Sequence, residues 1–90
     1  MKDETKSWLE QAKEHYDDAL FLYGHSRYSL AVYCCHQALE MILKAAIVEF
    51  TSITPSKIHK LDQLAKQSTL SLPDNWYADL AEITSPFWRV

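Results

Sequence analysis

Residues 28–50 constrain the fold of this chain more than any other segment. The segment reads YSLAVYCCHQALEMILKAAIVEF and is mostly apolar, with neither glycine nor proline. The whole chain has only one glycine and three prolines, and so few breakers favour long helices over strands and tight turns. A helix over 27–50 would be roughly 36 Å long at 1.5 Å per residue. The sequence therefore predicts a central helix in an all-α protein.

Four polar residues interrupt this segment at helical spacing: His36, Gln37, Glu40 and Lys44. On a helix they fall within an arc roughly 100° wide, and most of the remaining circumference is apolar. We expect such a helix to have neighbours on two or three sides. The polar arc has two interpretations, a solvated stripe or a charged seam at a dimer or nucleotide contact. In either case Leu39→Ala should cost more stability than Glu40→Ala, because a core leucine leaves a cavity when it is truncated.

The apolar periodicity predicts four helices, spanning about 5–23, 27–50, 54–68 and 72–84. Gly24 is expected to be the left-handed cap of the first helix, and Ser26 the N-cap of the second. Thr54-Pro55 is a plausible start for the third. Pro86 is expected to end the fourth, since residues before proline avoid the helical region.

The bulk properties indicate one domain over residues 1–90. A domain this small is marginal alone, so association with a second chain is expected.

The net charge is −3, which argues against DNA binding through the phosphate backbone. The apolar segment is interrupted before it reaches the ~18 residues of a membrane span. Cys34 and Cys35 are adjacent and poorly placed to pair with each other, which favours reduced core cysteines in a cytoplasmic protein.

Several side chains are candidates for a functional site. His36 lies one turn before Glu40, where a structural role is favoured over general-base catalysis. Lys57 and His59 begin a basic cluster that could hold a phosphate at a helix start, although a histidine bonding the preceding loop is favoured. We find no catalytic set, and contiguous Cys34-Cys35-His36 cannot converge on one metal ion. No cofactor is indicated.

Two motifs lie in the middle of the chain. A Gln-Ala-x-Glu-x-x-x-Lys-Ala segment covers residues 37–45, and a His-x-Leu-x-x-Leu segment covers residues 59–64. With these motifs the chain resembles the HEPN family. The resemblance extends over about residues 7–84. It implies an antiparallel up-and-down helical bundle that is often dimeric, with four helices in this chain and the last family helix apparently absent.

Many members of that family are ribonucleases, frequently toxins held in check by a minimal nucleotidyltransferase. Their usual signature is an arginine, four to six residues, then a histidine, on a late helix. Arg27 is followed at that spacing by Val32, Tyr33 and Cys34, and Arg89 is followed only by Val90.

The resemblance therefore favours a nucleotide-associated binding and assembly module, partnered by a nucleotidyltransferase in a toxin–antitoxin-type pair. We expect a homodimer, with a nucleotide or RNA as a further ligand. The candidate binding residues are His36, Gln37, Glu40, Lys44, Lys57 and His59. The alternative is a metal-independent ribonuclease whose arginine–histidine motif lies outside these residues.

Overall fold

A computed structural model describes residues 1–55 and 60–88, with side chains as far as residue 82. Over this part of the chain the fold is all-α. Its helices are α1 (Asp3–Gly24), α2 (Tyr28–Phe50), α3 (Leu61–Gln67) and α4 (Asp74–Trp88). The expected all-α helical bundle is confirmed, and α2 is one continuous helix that begins within a residue of its predicted start.

The turn between α1 and α2 differs from the prediction. Gly24 is the last residue of α1 and does not have a positive φ; Ser26, at φ 60°, is the left-handed residue. The N–H of Ser26 donates to the carbonyl of Tyr23, and the N–H of Arg27 donates to the carbonyl of Leu22 at 2.8 Å. These two bonds form a Schellman motif. Ser26 is therefore the C′ residue of α1, and the residue that caps α2 is Arg27.

The helices α1 and α2 form an antiparallel hairpin. The residues buried along their contact are mostly alanines, and their small side chains let the two helices approach closely. These residues are Ala12, Ala19, Ala31, Ala38 and Ala45.

Lys2 joins the open end of this hairpin. Its backbone N–H donates to Glu49 Oε1 at 3.1 Å, and the Thr5 hydroxyl donates to the same oxygen at 3.0 Å. Lys2 Nζ also donates to the carbonyls of Val48 and Thr51 at the end of α2. The two donors to its carboxylate, the Lys2 N–H first, lower the pKa of Glu49.

The apolar core lies where α3 packs on α2. It consists of Leu43 and Ile47 from α2 with Leu61, Leu64 and Ala65 from α3. Tyr77 and Leu80 of α4 pack against it from a half-buried position. Complete burial of a leucine or isoleucine side chain stabilises the fold by about 1.5–3 kcal/mol, so this cluster holds α3 in place.

The starts of α3 and α4 were predicted too early. Lys60 has the extended backbone of an N-cap, so α3 begins at Leu61 rather than near Thr54. Residues 56–59 lie outside the described residues. Helix α4 begins at Asp74, two residues later than expected, directly after Pro73.

The predicted end of α4 is also wrong. The helix continues through Pro86 to Trp88 instead of ending before the proline. A proline inside a helix removes the i→i−4 hydrogen bond that its N–H would donate. At Pro86 the carbonyl that loses this donor lies near the C-terminal end of α4, next to the last carbonyls, which have no intrahelical partner in any helix.

By length and composition alone, α2 would be able to cross a membrane. Over half of its most apolar window is buried against the rest of the described chain, however. That burial is typical of the core helix of a soluble domain.

Candidate functional site

The polar arc of α2 lies inside the protein. His36 and Glu40 are each 1% exposed, and Lys44 is 7% exposed. They follow one another along the helix at steps of four residues, on the arc that also carries the core residues Leu43 and Ile47. The solvated interpretation of this arc is therefore wrong, and the three side chains form part of the interior.

Glu40 and Lys44 form a buried ion pair. Lys44 Nζ donates to Glu40 Oε2 at 3.1 Å, with side-chain exposures of 8% and 2%. By contrast, Lys13 and Asp17 make a pair of the same spacing at 2.7 Å on the open surface of α1. Removing either partner of a buried pair leaves an uncompensated charge in the interior. The stability of the fold therefore depends on keeping the charges of Glu40 and Lys44 balanced.

Trp8 covers the ion pair from α1. Lys44 Nζ lies 5.5 Å from the centroid of its ring, within the range of a cation–π interaction. The indole Nε1 of Trp8 is buried and has no hydrogen-bond partner among the described residues. The contact links the polar arc to α1, so the arc is enclosed from a second side.

The structure brings together only part of the predicted site. His36, Glu40 and Lys44 share one buried arc, while Gln37 is half-buried on the same helix. Lys57 and His59 fall in the segment outside the described residues. The buried arc offers no open surface to a soluble nucleotide in this conformation, so its three residues are placed to organise the interior.

Neither cysteine takes part in a disulfide among the described residues, and only one is partly enclosed. Cys34 is half-buried and Cys35 is exposed, so the prediction that both belong to the core is wrong for Cys35. Burial raises the pKa of the Cys34 thiol, with smaller contributions from Asp18 and from the neighbouring Cys35. Among the described residues, no group of three His, Cys, Asp or Glu side chains is placed to hold a metal ion.

An open apolar groove lies between α1 and α2. It consists of two adjoining cavities of about 520 and 380 Å³, with Tyr16 and Cys35 lining both. Its floor is formed by alanines of the helix contact, and Lys13 is the one charged residue in either lining. We call this surface the α1–α2 groove.

Sequence reasoning did not identify the α1–α2 groove. Leu39, which was expected in the core, is 36% exposed, and it forms one wall of the groove with Ile42, which is 47% exposed. Because nearly the whole circumference of α2 is apolar, hydrophobic periodicity alone did not distinguish its inner from its outer side. The inward position of Glu40 and Lys44 reverses the usual arrangement of a surface helix, with charge inside and apolar side chains outside.

These features define the class of the protein. It is an all-α protein built on a long antiparallel hairpin, and its second helix carries a buried polar arc. The sequence model of the HEPN domain matches residues 5–88, nearly the whole chain. The chain therefore belongs to the HEPN family, and the resemblance seen in its sequence is confirmed. Searches of curated proteins and of solved structures return no match.

Proposed function

We propose that this chain is a binding and assembly module of the cytoplasm, whose partner is a minimal nucleotidyltransferase in a toxin–antitoxin-type pair. The observation that carries the proposal is the reversed arrangement of α2. His36, Glu40 and Lys44 lie in the interior, and the exposed side of the helix borders an apolar groove with one charged residue, Lys13, in its lining. Large exposed apolar patches mark surfaces that bind other proteins.

Family membership supports the choice of partner. HEPN proteins are frequently paired with a minimal nucleotidyltransferase, and this chain belongs to that family. Within residues 1–90 neither arginine is followed by a histidine at the four-to-six-residue spacing of the family's nuclease motif. This favours a role in binding over RNA cleavage by these residues.

Complex formation tests the proposal directly. The purified chain is mixed with the nucleotidyltransferase encoded beside it, and the mass of the product is measured by light scattering after gel filtration. We expect one complex with a fixed stoichiometry, and no complex with a nucleotidyltransferase taken from an unrelated pair. Separate elution of the two proteins would overturn the proposed partnership.

A nuclease assay tests the alternative. Unstructured RNA is incubated with the chain without metal ions, and its fragments are compared with those in buffer alone. We expect no additional cleavage. Cleavage that disappears in Arg89→Ala or His59→Ala would assign the chain to the metal-independent ribonucleases instead.

Nucleotide association is a separate part of the proposal. Lys57 and His59 are the basic candidates that remain for a phosphate contact, because His36, Glu40 and Lys44 are enclosed and Gln37 carries no charge. Titration with ATP should show binding that His59→Gln weakens and that His15→Gln, on α1, leaves unchanged. Equal binding by both variants would remove His59 from the site.

A further inference from the structure

The buried polar arc lies on the side of α2 that faces away from α1. At 3.6 residues per turn, His36 and Glu40 are roughly half a turn round the helix from the buried alanines that contact α1. Helix α1 therefore does not cover this side, although Trp8 reaches as far as Lys44. The alanines that define the contact are Ala31, Ala38 and Ala45.

Helices α3 and α4 cover the side of α2 that carries the arc. Leu43 and Ile47 lie on this side too, and they pack against α3 in the apolar core. Helix α4 packs against the same core through Tyr77. Because His36 and Glu40 are each 1% exposed and face away from α1, their enclosure is assigned to these two helices.

Contacts between α3, α4 and the loop that joins them hold the two helices together. The Tyr77 hydroxyl donates to the carbonyl of Leu70 at 3.1 Å, and Lys66 Nζ lies 5.9 Å from the centroid of the Tyr77 ring. The Ser68 hydroxyl donates to the carbonyl of Ala65 at 2.6 Å and accepts from the N–H of Leu70 at 3.3 Å. The two helices therefore form one unit, which we call the α3–α4 cover.

The α3–α4 cover is attached to α2 and lies apart from α1. Among the described residues, no Cα atom of α1 is within 8 Å of a Cα atom of α3 or α4. The α1–α2 hairpin, by contrast, is closed at both ends, by Lys2 at one end and by the turn at Ser26 at the other. The cover can therefore move away without breaking the contact between α1 and α2.

We propose that the α3–α4 cover opens as one unit from a hairpin that stays folded, and that its opening exposes the polar arc of α2. Proteins open locally in cooperative units, and a unit joined to the rest by few buried contacts opens at a lower free energy than the whole molecule. The inference goes beyond the proposed function and does not depend on the identity of a partner.

The charges of the arc weaken the attachment of the cover. Closing removes Glu40 and Lys44 from water, to side-chain exposures of 2% and 8%, and the cost of this desolvation can exceed the gain from their attraction. The apolar burial of the core favours closing, so the two effects oppose each other on one side of α2. Opening returns the ion pair to water, which lowers the free energy that opening requires.

The closed cover restrains binding to the arc. A ligand that contacts His36, Glu40 or Lys44 meets these side chains in the open state, so its apparent dissociation constant rises in inverse proportion to the open fraction. A change that raises the open fraction should therefore tighten such binding. The cover thus controls access to three of the binding residues predicted from the sequence.

The first test is native-state hydrogen exchange of the whole chain, followed by NMR in low concentrations of urea. Amides of α3 and α4 should exchange faster than those of Ala38 and Ala45 in α2. Their opening should also depend less on urea, because it exposes less surface than global unfolding does.

Two variants separate opening of the cover from global unfolding. Ala19→Gly weakens only the hairpin, because Ala19 is 3% exposed in the α1–α2 contact. It should speed exchange of the hairpin amides by about fivefold and leave the amides of α3 and α4 unchanged. Leu64→Ala weakens the core under the cover and should speed exchange in α3 and α4 by at least about tenfold. Ala19→Gly is a mild change, so the test stands even if Leu64→Ala fails to fold.

The second test is the accessibility of the arc. The chain is treated with diethyl pyrocarbonate, and modification of each histidine is followed by peptide mass mapping. His36 should react at a rate that Leu64→Ala raises by at least about tenfold and that Ala19→Gly leaves unchanged. His25, which is exposed at the turn between α1 and α2, is the matched control and should react equally in all three proteins.

Two results would overturn the inference. One is exchange of α3, α4 and the hairpin with the same urea dependence and equal acceleration by Ala19→Gly, because the chain would then unfold as a single unit. The other is a His36 reaction that Ala19→Gly speeds as much as it speeds the hairpin amides, because the arc would then be exposed only by global unfolding. Both tests use the chain alone, so neither result bears on the proposed partnership with a nucleotidyltransferase.

Discussion

The ammonium of Lys44 and the carboxylate of Glu40 lie 3.1 Å apart, one helical turn from each other, in the interior of the protein. Neither side chain is more than 8% exposed, and the Trp8 ring lies beside the ammonium. An ion pair in such a position is sensitive to the loss of one partner and tolerant of the replacement of both.

Lys44→Met should therefore destabilise the protein by roughly 3–5 kcal/mol, because the Glu40 carboxylate stays buried without its counter-ion. The double variant Glu40→Leu, Lys44→Met should recover most of this loss. The free energy of unfolding in urea measures both. Lys13→Met, which breaks the exposed pair, is the control and should have a far smaller effect. Equal losses at Lys13 and Lys44 would contradict the burial of the inner pair.

Leu64→Ala should cost about 2–5 kcal/mol of unfolding free energy, because Leu64 is fully buried in the core. Leu39→Ala should cost much less in the monomer, since Leu39 is 36% exposed at the groove. The same chemical change is thus compared at an inner and an outer position by urea denaturation at low protein concentration. This outcome differs from the sequence prediction, in which Leu39 belonged to the core. A loss at Leu39 as large as the loss at Leu64 would return Leu39 to the core.

Gly24→Ala should stabilise the protein by about 0.5–1 kcal/mol. Gly24 is helical with a negative φ, and an added Cβ meets no atom within 4 Å. The change can be measured as a rise in the thermal midpoint. A fall would mean that the end of α1 needs the freedom of glycine.

Ser26→Gly should also stabilise the protein, by about 1 kcal/mol or less, because a non-glycine residue is strained at φ 60° and the greater freedom of glycine when unfolded offsets part of the gain. Ser26→Ala keeps the strain and is the matched control. Both variants are compared with the parent by thermal unfolding. Equal stability of the two variants would argue against a left-handed residue at this turn.

Stability should fall with acid through Glu49. The donors from Lys2 and Thr5 lower its pKa below the ordinary value of 4.5. Its contribution is therefore complete above that value and is lost as the pH falls through the lowered pKa. Glu49→Gln should flatten the fall in unfolding free energy in this acid range, whereas Glu10→Gln, on the exposed side of α1, should not. Parallel curves for Glu49→Gln and the parent would rule out the contribution.

Periodicity was sufficient to predict the class of fold and the extent of α2, because both depend on local spacing. It did not predict which side of α2 faces the core, since that helix is apolar around most of its circumference. Long-range contacts decide the orientation. Trp8 and the residues of α3 cover the side that carries Glu40, and this leaves Leu39 outside.

One error had a different origin. The left-handed position at Ser26 depends on the pair of backbone hydrogen bonds that close the turn, and glycine was a natural but wrong choice for it.

The hydrogen bonds by which Lys2 joins the open end of the hairpin have a practical consequence for handling the protein. They use the amide hydrogen and the side-chain ammonium of Lys2, and both survive when residues are added ahead of Met1. A fusion or affinity tag at that end should thus be tolerated. Removal of the first two residues would release the end of α2 and the start of α1 together. Limited digestion from this end should therefore loosen the hairpin before any other part of the bundle.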